Sequence, residues 1–255
     1  MDNLSHAMPG AMLRHPRPQT ATYPLILLGI YLAVWTGLAI APLYRHDWML
    51  ENVLPLITVP LAILTYPHIR FTNRTYTLLW IFMLLHAVGA HYTYAMVPYN
   101  DWTQALTGHR LNDVLGLQRN HFDRLVHFLY GALLFPLFWE LFAPQVRGPQ
   151  GLRYLLVITF IMSHAGIYEV IEWGAAAFFG GDLGVAYLGT QGDEWDAQRD
   201  MGLAMSGTLV SLAIFSMTSS TTRGPFEQLT PKASTPHSDM MRAAWAGSSP
   251  STSSP

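Results

Sequence analysis

A chain of 255 residues that is 51% hydrophobic and 12% charged, with a net charge of −2, lacks the roughly 25% charged content of an ordinary soluble domain. The absence of cysteine excludes disulfides, thiolate zinc sites, iron–sulfur ligation and cysteine nucleophiles. The basic residues are nearly all arginine and form no DNA- or RNA-binding pattern, so no nucleic-acid partner is expected.

Residues 1–22, with their Pro, Arg and His, are expected to be a disordered cytoplasmic tail. A bilayer core takes about 20 mostly apolar residues per helix. Six segments between 23 and 217 qualify: 23–44, 48–66, 76–97, 122–143, 152–179 and 200–217. The first is long, lacks a small-residue cleavage site and is one of several, so it is read as a span rather than a signal peptide. The second is the weakest, with Glu51 near its start and Pro55 and Pro60 placed to kink it. A five-helix version without it stays open. Residues 218–255, rich in Ser, Thr and Pro, are expected to form a second disordered cytoplasmic tail. The fold class is therefore all-α, a polytopic membrane bundle of about six transmembrane helices.

Lys and Arg flanking the spans set the orientation. One side holds nine of them (Arg14, Arg17, Arg70, Arg74, Arg147, Arg153, Arg223, Lys232 and Arg242) and the other holds five (Arg45, Arg110, Arg119, Arg124 and Arg199). Both termini are expected in the cytoplasm, and the acidic stretch 181–199 outside. The location is then a bacterial inner membrane.

Ionisable side chains inside spans are costly and turn toward the bundle interior. On the third span His86 lies near mid-membrane and His91 about 7 Å farther out. Asp123, Arg124 and His127 open the fourth span; Glu169 and Glu172 lie in the outer half of the fifth, with His164 near its middle. Asp200 opens the sixth, so four helices direct acids and histidines to one outer region. Glu140 stands apart at the inner end of the fourth. Asp123 with His127, and Glu169 with Glu172, have i,i+4 and i,i+3 spacings that put each pair on one face. If 193–200 is helical, Asp193, Asp196 and Asp200 fall within about 60° of one another and Glu194 points to solvent. Gly202, Ser206 and Gly207 read as a close helix-packing stripe.

The strings "HAVGAHYTYAMVPYNDW", "RNHFDRLVHFLYG", "YEVIEW" and "LGTQGDEWDAQRDM", in that order, resemble the YjdF-type family of bacterial multipass inner-membrane proteins. That resemblance, over roughly 25–217, implies a polytopic membrane protein with this polar set as its signature. Fifth-span acids followed by an acid-led last helix are also loosely similar to VanZ-like envelope proteins.

Carboxylate and imidazole ligands without sulfur suit a divalent metal (zinc, manganese or iron), with magnesium or calcium favoured if only acids bind. The expected ligands are His127, Glu169, Glu172, Asp196 and Asp200, with His91 and Asp123 next. On this reading the protein is a metal-dependent hydrolase or transferase acting on a lipid-linked or envelope substrate. One carboxylate of the Glu169/Glu172 pair serves as base and Arg124 clamps an anion. Two alternatives stand beside it. The acids form a structural ion-pair network with Arg119, Arg124 and Arg199, or they carry protons or cations in a transporter. A non-catalytic assembly or lipid-binding factor is the remaining class.

Overall fold

The computed structural model describes residues 21–179 and 190–221. Among them the regular elements are all helical: α1 (Thr22–Leu38), α2 (Arg45–Glu51), α3 (Val53–Thr65), α4 (Asn73–His91), α5 (Tyr99–Thr107), α6 (Leu111–Leu115), α7 (Phe122–Phe142), α8 (Gln150–Phe179) and α9 (Asp196–Thr221). Four stretches are long and apolar enough to cross a membrane: Arg45–Thr65, Phe122–Gln145, Gln150–Phe178 and Asp196–Thr218. The second apolar segment, weakest by sequence, is among them. At 17 residues α1 is shorter, about 26 Å at 1.5 Å per residue. The 19-residue α4 is diluted by a polar first turn and two histidines. The expected tails fall mainly outside the described residues, although Thr218–Thr221 is helical. The chain divides after Ala213, and the described part of the second unit is the end of α9.

Proline chemistry explains the break between α2 and α3. Pro55 has no N–H to give the carbonyl four residues earlier, which belongs to Glu51. That freed carbonyl accepts from His86 Nε2 at 3.1 Å. Because Nε2 must carry the proton to donate, Nδ1 is the acceptor, and it takes the Tyr94 hydroxyl at 2.5 Å. The histidine nearest mid-membrane is thus a brace between the end of α2 and α4.

Tyr94 reaches His86 by an abrupt reversal. The third apolar segment was expected to run helically to 97, but α4 ends at His91. Thr93 and Tyr94 then take left-handed φ values of 53° and 44°, a conformation β-branched and bulky residues rarely adopt. The turn folds the Tyr94 ring over Gly89, where a Cβ would stand 2.6 Å from Tyr94 Cε1. Tyr94, Val97, Phe122 and Val126 form a buried cluster there. It seats the first turn of α7 on the end of α4.

The chain between α4 and α7, read as loop from sequence, carries α5 and α6. Each ends on a left-handed glycine, Gly108 (φ 80°) and Gly116 (φ 67°), as helix C-termini commonly do. Leu106, Val114 and Leu115 are exposed on these short helices. Tyr99 OH donates to Asn112 Oδ1 at 2.7 Å and accepts from the His121 N–H at 2.9 Å. Asn120 Nδ2 donates to the Val97 carbonyl at 2.9 Å. The "PYNDW" and "RNHFD" strings therefore tie the outer loop to the start of α7.

Helices α7 and α9 meet backbone to backbone. A Cβ on Gly131 would overlap the Ala204 carbonyl and lie 2.7 Å from Thr208 N. One on Gly207 would overlap the Phe128 carbonyl and lie 2.9 Å from Ala132 N. The small-residue expectation holds at Gly207, with Gly131 as its counterpart, but not at Gly202. Nothing lies within 4 Å of a Cβ there.

Glu140, expected to stand alone, is fully engaged. Its carboxylate accepts from Thr72 N at 2.8 Å and from the hydroxyls of Thr72 and Thr75, each at 2.7 Å. Thr72 is the N-cap of α4 and also accepts from Thr75 N at 3.3 Å. Glu140 thus completes the α4 cap from α7, where a negative group favours the positive end of the helix dipole.

Candidate metal centre

Asp123 stands in the first turn of α7, with His127 one turn on. The turn's seat on Tyr94 and Val97 directs them inward. His127 is buried, as is Asp200 in the second turn of α9, and the Asp123 side chain is 14% exposed. One ligand atom from each lies within 4.8 Å of the other two. Three donors around a zinc-sized ion would sit about 3.4 Å apart at metal–ligand distances of about 2.1 Å. The trio is therefore an ångström or so looser than a closed site.

His127 lies between two carboxylates without a normal hydrogen bond to either. Nε2 is 3.5 Å from Asp123 Oδ1 and Nδ1 is 3.7 Å from Glu169 Oε1. Asp200 Oδ1 and Glu169 Oε1 are buried and have no hydrogen-bond partner. Buried carboxylates without partners cost several kcal/mol each, so a proton or a cation must neutralise them. Glu172 lies behind this group, within electrostatic range of Asp123, Glu169, Glu51 and Asp200. The Tyr168 ring meets His127 edge-on at 6.1 Å.

A second layer, at the start of α7 and α9, is built from arginine. Arg119 Nη1 donates to Asp196 Oδ1 at 3.0 Å and to the Thr190 carbonyl at 2.8 Å. Arg124 Nη2 bonds the same Asp196 oxygen at 3.1 Å. Arg124 and Arg199 both bond Asp193 Oδ2, and Arg119 lies 3.6 Å from it. Gln191 and Asn120 close the clasp with two reciprocal bonds of 3.1 and 3.0 Å. Desolvation opposes ionisation of Asp193. The Trp195 amide, Arg124 and Arg199 outweigh it and hold the carboxyl below its ordinary range. At the same rim, desolvation and then the charges of Arg124 and Arg119 lower the pKa of His121.

The expected residues therefore separate. Asp123, His127 and Asp200 come together with Glu169 beside them and Glu172 behind. Asp196, expected as a ligand, is bound by two arginines instead. Arg124, expected to clamp an external anion, holds Asp193 and Asp196. His91 is not brought to the group: its Nδ1–H donates to the Leu38 carbonyl at 2.7 Å and its ring packs on Tyr92. His164 stacks on Tyr130 with ring centres 5.4 Å apart. Helix α9 begins at Asp196, so Asp193 precedes it, and Glu194 is exposed as expected. Residues 181–189 of the acidic stretch 181–199 lie outside the described residues.

Sequence reasoning missed two neighbours of the site. Glu51 was read only as a flaw in the second span and Asp47 was not singled out. Both are buried on α2, and Glu51 Oε2 accepts from Tyr168 OH at 3.2 Å. Their i,i+4 spacing at the head of an apolar run was the available signal.

No solved structure matches the chain. Inner membrane protein YjdF of Escherichia coli (strain K12) is 34% identical over 194 residues, which cover 74% of this chain and 88% of that protein. A bacterial inner membrane is accordingly the location of this chain, with several apolar helices to hold it there. The family described as "Predicted membrane protein (DUF2238)" matches residues 23–221, and the chain belongs to that family.

Proposed function

We propose that Asp123, His127 and Asp200 hold a divalent transition-metal ion, and that the protein is a metal-dependent hydrolase or transferase acting on a lipid-linked or envelope substrate. The observation that carries this reading is the buried trio, within 4.8 Å, next to the unpartnered Asp200 Oδ1 and Glu169 Oε1. One imidazole and carboxylates without sulfur suit zinc, manganese or ferrous iron. Such an ion lowers the pKa of bound water and polarises a phosphoryl or acyl oxygen. Glu169, beside His127, is placed to hold a proton as general base, with Glu172 behind it. The rim arginines supply the positive charge that an anionic headgroup needs, once Asp193 gives way. The basic-residue bias puts this arginine layer on the outer face of the membrane.

A proton- or cation-coupled transporter has less support. It needs polar access from the inner half, and Glu140, the acid found there, is consumed as a helix cap.

The test is elemental analysis of the chain purified in detergent, for wild type, Asp200→Asn and Asp123→Asn. One metal per chain in wild type, lost in both variants, is expected. Wild type without metal after incubation with zinc, manganese or iron at neutral pH would overturn the reading. So would an Asp200→Asn protein that keeps its metal.

A further inference from the structure

Asp47 and Glu51 are the acids that the Asp123–His127–Asp200 group does not use. They lie one turn apart on α2, 1% and 4% exposed. Asp47 Oδ1 is buried without a hydrogen-bond partner. Across from it is Thr93, itself 4% exposed, whose hydroxyl acts on the Asp47 carboxylate yet makes no hydrogen bond of normal geometry. The positive φ of Thr93 is one a β-branched residue rarely takes. It sets this hydroxyl against α2. Arg45, the nearest basic residue in sequence, is turned away: it donates to the Ala39 carbonyl at 2.8 Å and lies over the Trp48 ring. Among the described residues neither acid is paired with lysine or arginine.

No histidine competes as a ligand, because both ring nitrogens of His86 are already bonded to Glu51 O and Tyr94 OH. What these three residues offer is oxygen: two carboxylates and one hydroxyl, the donor set of a hard cation. Glu51 gives one oxygen to Tyr168, which leaves the other for the ion. The geometry points to a second cation site formed by Asp47, Glu51 and Thr93, one that takes Ca2+ or Mg2+. It shares no ligand with the transition-metal trio and stands whether or not that trio binds metal.

The experiment measures binding of Ca2+ alone and of Mg2+ alone to the full chain in detergent after chelator treatment. It compares wild type with Asp47→Asn, Thr93→Val and Asp200→Asn, with helical circular dichroism as the folding check. Expected are one hard cation per chain in wild type and in Asp200→Asn, at least tenfold weaker binding in Asp47→Asn, and measurable weakening in Thr93→Val. The two ion arms identify which cation is preferred. Absence of both ions from wild type would mean that the acids are held by protons, and would overturn the site. So would unchanged affinity in a folded Asp47→Asn. Should Asp47→Asn not fold, Thr93→Val decides, and wild-type affinity there overturns the site equally.

Discussion

Alanine at Gly131 tests whether helix packing sets the geometry of the proposed metal centre. The new Cβ would overlap the Ala204 carbonyl and press on Thr208 N at 2.7 Å. An ordinary carbon contact is near 3.5–4.0 Å, so α7 and α9 must separate by about 1 Å. Overpacking of this kind costs about 1–3 kcal/mol. At about 2–4 °C per kcal/mol for a chain of this size, thermal unfolding in detergent should fall by several degrees. His127 lies one turn from Gly131 on α7, and Asp200 lies one turn from Ala204 on α9. The separation is therefore transmitted to the His127–Asp200 spacing. Metal sites tolerate about 0.2 Å in ligand distance, so metal affinity should drop at least about tenfold, equivalent to about 1.4 kcal/mol. Gly202→Ala is the control, since open space surrounds that position, and it should leave both quantities unchanged or raise stability slightly. A Gly131→Ala protein with wild-type unfolding temperature and metal content would refute the link between this crossing and the site.

Removing the Glu140 carboxylate with Glu140→Ala strips three acceptor contacts from the start of α4. It should cost about 1–3 kcal/mol of stability without changing metal content, as read by thermal unfolding and elemental analysis. His91→Gln should keep the metal, because Nδ1 is spent on the Leu38 carbonyl; loss of metal would show that the ring is a ligand after all. The Asp193 carboxyl titrates below its ordinary value, so its contribution to the clasp is present above the unfolded value near about pH 4 and is lost as pH falls through the lower folded value. Hydrogen exchange at the 190–195 amides should stay slow from neutral pH down to about 4 and quicken only below it. Opening between pH 5 and 6 would contradict the arginine clasp.

The long apolar runs at 122–143, 152–179 and 200–217 carry the signal for α7, α8 and α9, because a bilayer core leaves the backbone no alternative to the helix. Within them, the pairing of Asp123 with His127 follows from helical period alone. What periodicity does not contain is the lateral choice of partner. Asp196 and Asp200 share a face of α9, yet four residues separate an acid taken by arginine from one left for a ligand. That difference depends on where the chain before α7 places Arg119, and only tertiary structure supplies it. The end of α4 was illegible for another reason. "HAVGAHYTYAMV" is apolar enough to read as continuous helix, and the turn at Thr93–Tyr94 is imposed by packing over Gly89 and by the His86 acceptor, against local preference. Pro55 was legible as a break, but not as the cause of His86's orientation.

The two ends of α7 have a mechanical consequence for how the protein can move. At one end Arg124 is bonded to Asp193 and Asp196; at the other Glu140 is bonded to Thr72 and Thr75. A helix that ratchets one turn past its neighbours moves about 5.4 Å. Any such slip of α7 would break polar bonds at both ends at once. One-turn shear along α7 is thus opposed in either direction, whereas opening at 190–195 breaks contacts at one end alone, those of Asp193 among them. Access to the buried acids, on this mechanics, is a matter of unlatching Asp193 rather than of rearranging the bundle.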